Sequence, residues 1–327
     1  MRRAILLASE VRASTSPNPW VGSVVVGRHA GIFEGATSPA GGPHAEIVAL
    51  QAAGGAARGG TLYTTLEPCP HHGRTPPCTD AIVASGIARV VVGVLDPDRK
   101  VAGRGVEALE NAGVEVTVGI GATEVEEQLA AYMTHRRTGR PLVVLKLAAS
   151  LDGRIAAPDG SSRWLTGPAS RRDAHELRRV SDAVLVGAET VRRDDPELTV
   201  RNDPVPERQP LRVVLGRAPS SAKVHPAVEL CGELGDVLDE LGARGVLQLL
   251  VEGGARVAGA FHRAGMVDRY VLYLAPALFG GDDAVPLFAG AGAPTIEQLW
   301  RGRLVSVDRL GDDIRVELVA ALELEAA

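Results

Sequence analysis

His44, Glu46, Cys69 and Cys78 form the sharpest chemical pattern in this 327-residue chain. A catalytic zinc takes three protein ligands and keeps a fourth position open for water. One imidazole and two thiolates meet that need and leave Glu46 over. The H-x-E spacing of His44-Ala45-Glu46 sets the histidine and the glutamate on the first turn of one helix, where both address the same small volume. A glutamate there takes a proton from an activated water and passes it to a ring nitrogen and a departing amine. The order is that of zinc deaminases, H-x-E then P-C-x-x-C, with one departure. Eight residues separate Cys69 from Cys78 instead of two. The intervening PHHGRTPP must bulge out as a loop, and His71, His72, Arg74 and Thr75 on it are placed to meet a phosphorylated substrate. A closed structural zinc site, with His71 or His72 as fourth ligand, is the competing reading.

These residues need a scaffold, and the pattern around them supplies one. An amphipathic stretch from Ala4 to Val11 leads through the turn-rich PNPWVG to a strand, SVVVG. After a glycine-rich loop, HAEIVALQAAG reads as a helix from its three- and four-residue apolar spacing. A strand TLYTTLE, the Pro/Cys/His loop, a helix TDAIVASG and a strand ARVVVGVLD follow. Thr79-Asp80 marks the helix start and Gly86 its stop. A helix VEALENAG and a strand VEVTVG complete the unit, and strands alternating with helices imply a largely parallel sheet covered on its faces. A helical stretch from Glu124 to Arg137 then meets Gly139 and Pro141, which predicts a boundary near residue 141 and domains 1–141 and 142–327.

The second half is again α/β. PLVVLKLAAS, DAVLVG, PLRVVLG, LQLLVE and RYVLYLAP read as strands, and SRRDAHELRRV, the stretch around GDVLDELGARG, and ARVAGAFHRAG as helices. LQLLVE runs into Gly253-Gly254 and then a helix, so helix-start amides can approach a phosphate closely. This is not the G-x-G-x-x-G fingerprint, and a Rossmann assignment does not follow.

PNPWVGSVVV, PHAE, TLEPCPHHGRTPPCTDAI and DPDRKVAGRG together resemble the bifunctional riboflavin-biosynthesis deaminase/reductase family, and EPC-x-HHG-x-TPPC is highly specific to it. KLAASLDGRIA, SSRWLTG, GAETVRRDDPELTVR and LLVEGGARVAG extend the resemblance to the chain's end. It implies a cytidine-deaminase-like three-layer α/β domain followed by a dihydrofolate-reductase-like α/β domain. It also implies zinc on His44, Cys69 and Cys78, Glu46 as catalytic proton shuttle, and Asn18 of the PNP turn as a substrate contact, against an ordinary turn asparagine. The reaction implied is deamination of 2,5-diamino-6-(5-phosphoribosylamino)pyrimidin-4-one, then NADPH reduction of the ribosyl group to ribityl.

In the second half the resemblance places Ala149, Trp164, Thr190, Asp194 and the run Gly254, Ala255, Arg256, Val257, Ala258, Gly259, Ala260 against the cofactor. It places Ser162, Arg178, Leu198, Arg201 and Glu252 against the substrate. Two arginines suit a phosphate through planar, charge-assisted hydrogen bonds. Lys146 either polarises the ribose or is a strand-end lysine reaching solvent; Trp164, taken alone, reads as a packing residue. There are two departures. Gly216-Arg217 stands where the family often has Asp-Ser, which puts Arg217 forward as the group facing the extra phosphate of NADPH. The stretch from Ala218 to Gly235 is short, and a strand is expected to be missing there. The alternatives are an active deaminase with an impaired or repurposed reductase, and a non-catalytic zinc-binding protein.

Composition narrows the partners. Aromatics are 3% of residues, too few for base-stacking platforms, and a formal charge of −5 without a Lys/Arg block argues against nucleic acid. Glu10 interrupts the opening apolar run before it reaches signal-peptide length, and no run approaches a membrane span. Three cysteines make a poor disulfide framework and favour a reducing, cytoplasmic setting. The expected partner is a small phosphorylated pyrimidine, and the family resemblance implies a homo-oligomer through the reductase domain.

Overall fold

β-Branched runs become strands and the alanine- and leucine-rich runs between them become helices, in two compact units, Met1–Arg140 and Pro141–Ala327. The computed structural model describes residues 1–29, 31–73 and 76–321; Arg74 and Thr75, expected near a substrate phosphate, lie outside the described residues.

The first unit runs α1 (Arg2–Thr15), β1 (Gly22–Val26), β2 (Ile32–Ala36), α2 (Ala45–Ala53), β3 (Thr61–Leu66), α3 (Cys78–Ser85), β4 (Arg89–Val94), α4 (Arg104–Asn111), β5 (Glu115–Val118), α5 (Ala122–Gln128) and α6 (Ala130–Thr138). Its sheet has the order β2-β1-β3-β4-β5. The pairs β3–β4 and β4–β5 are parallel, but β1 is antiparallel to both of its neighbours. The expected parallel sheet is therefore only half right. The glycine-rich loop holds β2, and a hairpin turn as short as Gly27 to Gly31 joins only antiparallel strands.

Strand alternation sorts the core into three layers. Val25 and Leu62 face Ala49, Leu50, Ile82 and Leu109 of α2, α3 and α4, while Val24 faces Ala4 and Leu7 of α1 on the other side. Gly35 has a positional reason: a Cβ there would lie 2.3 Å from the carbonyl oxygen of Ala45. The first turn of α2, which carries His44 and Glu46, thus sits directly on β2.

The second unit comprises β6 (Leu142–Ser150), β7 (Arg154–Ala156), α7 (Pro168–Arg179), β8 (Ala183–Gly187), α8 (Ala188–Asp194), β9 (Leu211–Leu215), β10 (Val228–Leu230), α9 (Leu234–Ala243), β11 (Gln248–Val251), α10 (Ala255–Arg263), β12 (Arg269–Ala275), β13 (Val285–Pro286), β14 (Gly302–Leu310) and β15 (Asp313–Ala320). The main sheet has the order β10-β9-β8-β11-β6-β12-β15-β14. It is parallel from β10 to β12 and antiparallel from β12 to β14. The strand expected to be missing between Ala218 and Gly235 is present as β10, three residues long, paired in parallel with β9. Leu145, Leu185, Leu249, Val251 and Phe261 lie at the centre of this unit's core.

No helix of the described residues is long and apolar enough to cross a membrane.

Candidate active sites of a deaminase and a reductase unit

In the first unit, His44 is the N-cap of α2, Glu46 lies in that helix's first turn, and Cys78 opens α3. Cys69 follows β3 in the loop between them. The His44 Nδ1 lies 3.2 Å from the Cys78 sulfur and 3.6 Å from that of Cys69. All three donor atoms fall within 4.8 Å of one another. Both cysteines sit at or beside the α3 N-terminus, where unpaired amides favour negative sulfur. A hydrogen bond from Cys78 holds the Cys69 thiol well below the ordinary range; the same bond, with burial, pushes Cys78 up. An imidazole and two sulfurs at this spacing suit a tetrahedral zinc with one position left over.

Glu46 is 4% exposed, and burial pushes its carboxyl up to about 7. It borders a cleft of about 270 Å³, also lined by Asn18, His44 and Cys69. His71 lines it too, with a buried Nδ1 that has no hydrogen-bond partner among the described residues. His71 is not drawn into the ligand group, whose members among the described residues are His44, Cys69 and Cys78. The closed structural site with His71 or His72 as fourth ligand therefore lacks that ligand.

Sequence reasoning missed the far wall of this cleft. Asp96, Asp98, Val101, Tyr132 and Arg136 line it. The Tyr132 hydroxyl donates to both Asp96 oxygens at 3.1 Å, and the Arg136 guanidinium lies 3.7 Å from Asp98. Burial pushes the Asp96 carboxyl up to about 6. The DPDRK motif and the i, i+4 spacing of Tyr132 and Arg136 were the available signals.

In the second unit, a buried triad joins three strands and helices of the core. The Arg178 guanidinium on α7 grips Glu252 with Nε 2.5 Å from Oε1 and Nη2 3.0 Å from Oε2. Lys146 Nζ on β6 lies 3.8 Å from the same carboxylate and 5.6 Å from the Tyr273 ring centre. Lys146 is thus not a strand-end lysine reaching solvent. Burial alone would raise Glu252, but Arg178 and then Lys146 outweigh it and hold the carboxyl at about 2. Burial pulls Lys146 down against the pull of Glu252.

A cleft of about 380 Å³ opens at the α10 N-terminus. Of the expected cofactor and substrate residues, it gathers Ser162, Thr190, Asp194, Gly254, Ala255, Arg256 and Val257. Ala149, Ala258, Gly259 and Ala260 are not among its lining residues; Ala149 and Ala258 are buried in the core. Leu198 is buried at positive φ, and Arg201 pairs with Glu197 at 2.8 Å. Trp164 is not a packing residue: it is 73% exposed, with the Arg171 guanidinium 4.6 Å from its ring centre. Gly160, Glu189 and Arg193 line the cleft and were missed. Arg217 is not part of this lining; it pairs with Glu229 at 3.1 Å.

A three-layer unit that converges a histidine, two cysteines and a buried glutamate, followed by an α/β unit with a glycine-opened helix, defines a zinc-type deaminase joined to a nucleotide-dependent reductase. The family model for the cytidine and deoxycytidylate deaminase zinc-binding region matches residues 1–94, and that for the RibD C-terminal domain matches residues 141–316. The chain is 41% identical over 344 residues to the riboflavin biosynthesis protein RibD of Aquifex aeolicus, covering 96% of each. It is 38% identical over 362 residues to RibD of Escherichia coli, covering 98% of each. The structure of Acinetobacter baumannii RibD superimposes with a TM-score of 0.92 at 38% identity over 98% of both chains. A Thermotoga maritima diaminohydroxyphosphoribosylaminopyrimidine deaminase/5-amino-6-(5-phosphoribosylamino)uracil reductase does so with 0.90 at 36% identity, over 98% of this chain and 97% of that one. The chain belongs to the RibD family, the bifunctional deaminase/reductase enzymes of riboflavin biosynthesis.

Proposed function

We propose that the first unit hydrolyses the amine of 2,5-diamino-6-(5-phosphoribosylamino)pyrimidin-4-one and that the second reduces the ribosyl group of the product to ribityl with NADPH. The observation that carries the first step is the convergence of His44, Cys69 and Cys78 beside buried Glu46 in one cleft. A zinc ion held by those three residues supplies the Lewis acidity that makes water a nucleophile near neutral pH. Glu46 takes the proton released as water adds to the amine-bearing ring carbon. It passes that proton to the ring nitrogen, then takes the second proton from the added hydroxyl and gives it to the amine, so that the carbonyl forms as the carbon–nitrogen bond breaks and ammonia leaves. Asn18, at the cleft's edge, orients the ring.

For the second step, NADPH supplies the hydride. The start of α10, Gly254 to Val257, presents its free amides to it, together with Thr190 and Asp194 of the same cleft. Glu252 keeps Lys146 and Arg178 charged and fixed in the interior, where Lys146 polarises the ribose. Arg178 and Arg201 hold the substrate phosphate, and Ser162 and Leu198 complete that side. Cys69 and Cys78 are free thiols and need reducing conditions to remain metal ligands, which supports a cytoplasmic enzyme. The exposed Leu304 and Val307 of edge strand β14 support a homo-oligomer through the reductase unit.

A coupled assay on this substrate tests both halves: ammonia and NADPH oxidation are both expected. Stripping the metal with a chelator is expected to abolish ammonia release while leaving NADPH oxidation on the deaminated intermediate intact; persistence of ammonia release in metal-free protein would remove zinc from the reaction. Because Arg217 pairs with Glu229 outside the cleft lining, Arg217→Ala is expected to leave the NADPH/NADH selectivity unchanged. A roughly tenfold fall, the worth of one charge-assisted contact to phosphate, would instead place Arg217 against the extra phosphate of NADPH.

A further inference from the structure

Glu67 is a buried carboxylate outside the metal group, 4% exposed, and no cation pairs with it among the described residues. A charge in that position must be met by other means. Its partners are four backbone amides. Oε2 accepts from the amides of Asp96 at 3.1 Å and Gly103 at 2.9 Å; Oε1 accepts from Gly105 at 2.8 Å and Val106 at 3.2 Å. Three of these amides form the N-terminus of α4, where a negative charge is stabilised by the helix dipole and by donors without intrahelical partners.

The four donors lie at the two ends of one loop. Asp96 starts it, Gly103 to Val106 close it, and between them Asp98 and Val101 line the deaminase cleft. One side chain therefore clasps both ends of the cleft's far wall. The clasp is joined to the metal group by two peptide bonds: Glu67 continues the β3–β4 ladder through its amide to the Val94 carbonyl at 3.0 Å, Pro68 follows, and Cys69 comes next. The start of α4 packs tightly against this segment. A Cβ on Gly105 would fall 2.0 Å from the Pro68 carbonyl oxygen.

We propose that Glu67 is a positioning residue of the deaminase. It holds the loop of residues 96–106 in register with Cys69, so that the wall contacting the substrate ring and the thiolate beside it keep one spacing. The carboxylate is required for its acceptor count. Four amides point at it, and a carboxamide of the same shape turns a donor toward two of them.

The proposal rests on the deaminase reading, which ammonia release by the unaltered protein checks separately. In zinc-loaded Glu67→Gln, kcat/KM for ammonia release from the diaminopyrimidinone ribosylamino phosphate is expected to fall at least tenfold. Most of the loss is expected in KM, with one zinc per chain retained and NADPH oxidation on the deaminated intermediate unchanged. Glu67→Asp, which keeps the charge but shortens the reach, is expected to recover part of the loss. Gly105→Ala keeps the carboxylate but sets a methyl 2.0 Å from the Pro68 carbonyl oxygen and 3.0 Å from Glu67 Oε1, so it displaces the same loop from the amide side of the clasp, and a raised KM is expected there as well; it serves if Glu67→Gln fails to fold. A kcat/KM within twofold of the parent in Glu67→Gln and Gly105→Ala would overturn the proposal. Loss of zinc in step with activity would also overturn it, by making Glu67 a prop for the thiolates alone.

Discussion

Glutamine at position 46 is expected to reduce ammonia release by about 10³- to 10⁴-fold while leaving zinc content and NADPH oxidation unchanged. The magnitude follows from the role. A positioned general acid–base group contributes typically about 10²- to 10⁴-fold, and Glu46 serves both directions of transfer in one turnover. Its surroundings are built for that. It lies in the first turn of α2 beside the N-cap His44 and is nearly excluded from solvent. Glutamine preserves shape and burial but cannot exchange a proton at neutral pH. The metal group loses no donor, since His44, Cys69 and Cys78 supply it. Ammonia measured against time, with metal analysis on the same sample, checks this. Activity within tenfold of the parent would show that another group moves the proton, and Asp96 in the same cleft would be the next residue to test.

The second large effect is expected from Glu252→Gln, in the reductase unit. Here a buried charge is held between two opposite ones, Arg178 with two short hydrogen bonds and Lys146 at 3.8 Å. Removing the negative member leaves two cations facing each other in the interior. Breaking such a pair by deleting one partner typically costs about 3–5 kcal/mol. NADPH oxidation on the deaminated intermediate is expected to fall at least 100-fold, because Lys146 and Arg178 lose the group that orients both. Ammonia release should persist.

The same cluster predicts a pH dependence. Arg178 and Lys146 hold the Glu252 carboxyl at about 2 in the folded chain, below the unfolded value of about 4.3. A depressed carboxyl stabilises the fold fully above its unfolded value and loses that contribution as pH falls through its folded one. The reductase unit should therefore weaken between about pH 5 and pH 2. The fall should be shallower in Glu252→Gln, which has no proton to take up. Hydrogen exchange at the amides of β11, read at several pH values, reports on this unit separately from the first. Equal pH slopes in parent and variant would assign the acid lability to other carboxylates.

Much of this was legible in the chain itself, and unevenly so. The ligand pattern was readable because H-x-E, E-P-C and the second cysteine are local strings, and each string sits at the start of a helix or the end of a strand. Most helices and interior strands followed from the spacing of apolar residues. Other features were not legible. The strand β2 hides in a stretch of glycine and turn residues, and its identity depends on pairing with β1, a contact periodicity does not encode. The strand β10 has only three residues, too few for a pattern, and is made by its parallel partner β9. The C-terminal hairpin of β14 and β15 also went unread; β14 is mostly exposed and shows no clean alternation.

By itself, the sequence determined the metal-type donors, the proton carrier, the two α/β halves and the glycine-opened helix, because each depends on neighbours within one turn or one strand. Tertiary structure alone decided which distant residues share a volume. Asp96, Tyr132 and Arg136 join the deaminase cleft, and Lys146, Arg178 and Glu252 meet although more than 70 residues separate the last two. Trp164 and Arg217 fall outside the reductase cleft for the same reason. Distances of this kind are set by sheet order and helix packing. Those arise from the sum of many weak apolar contacts across the whole chain, so no local string records them.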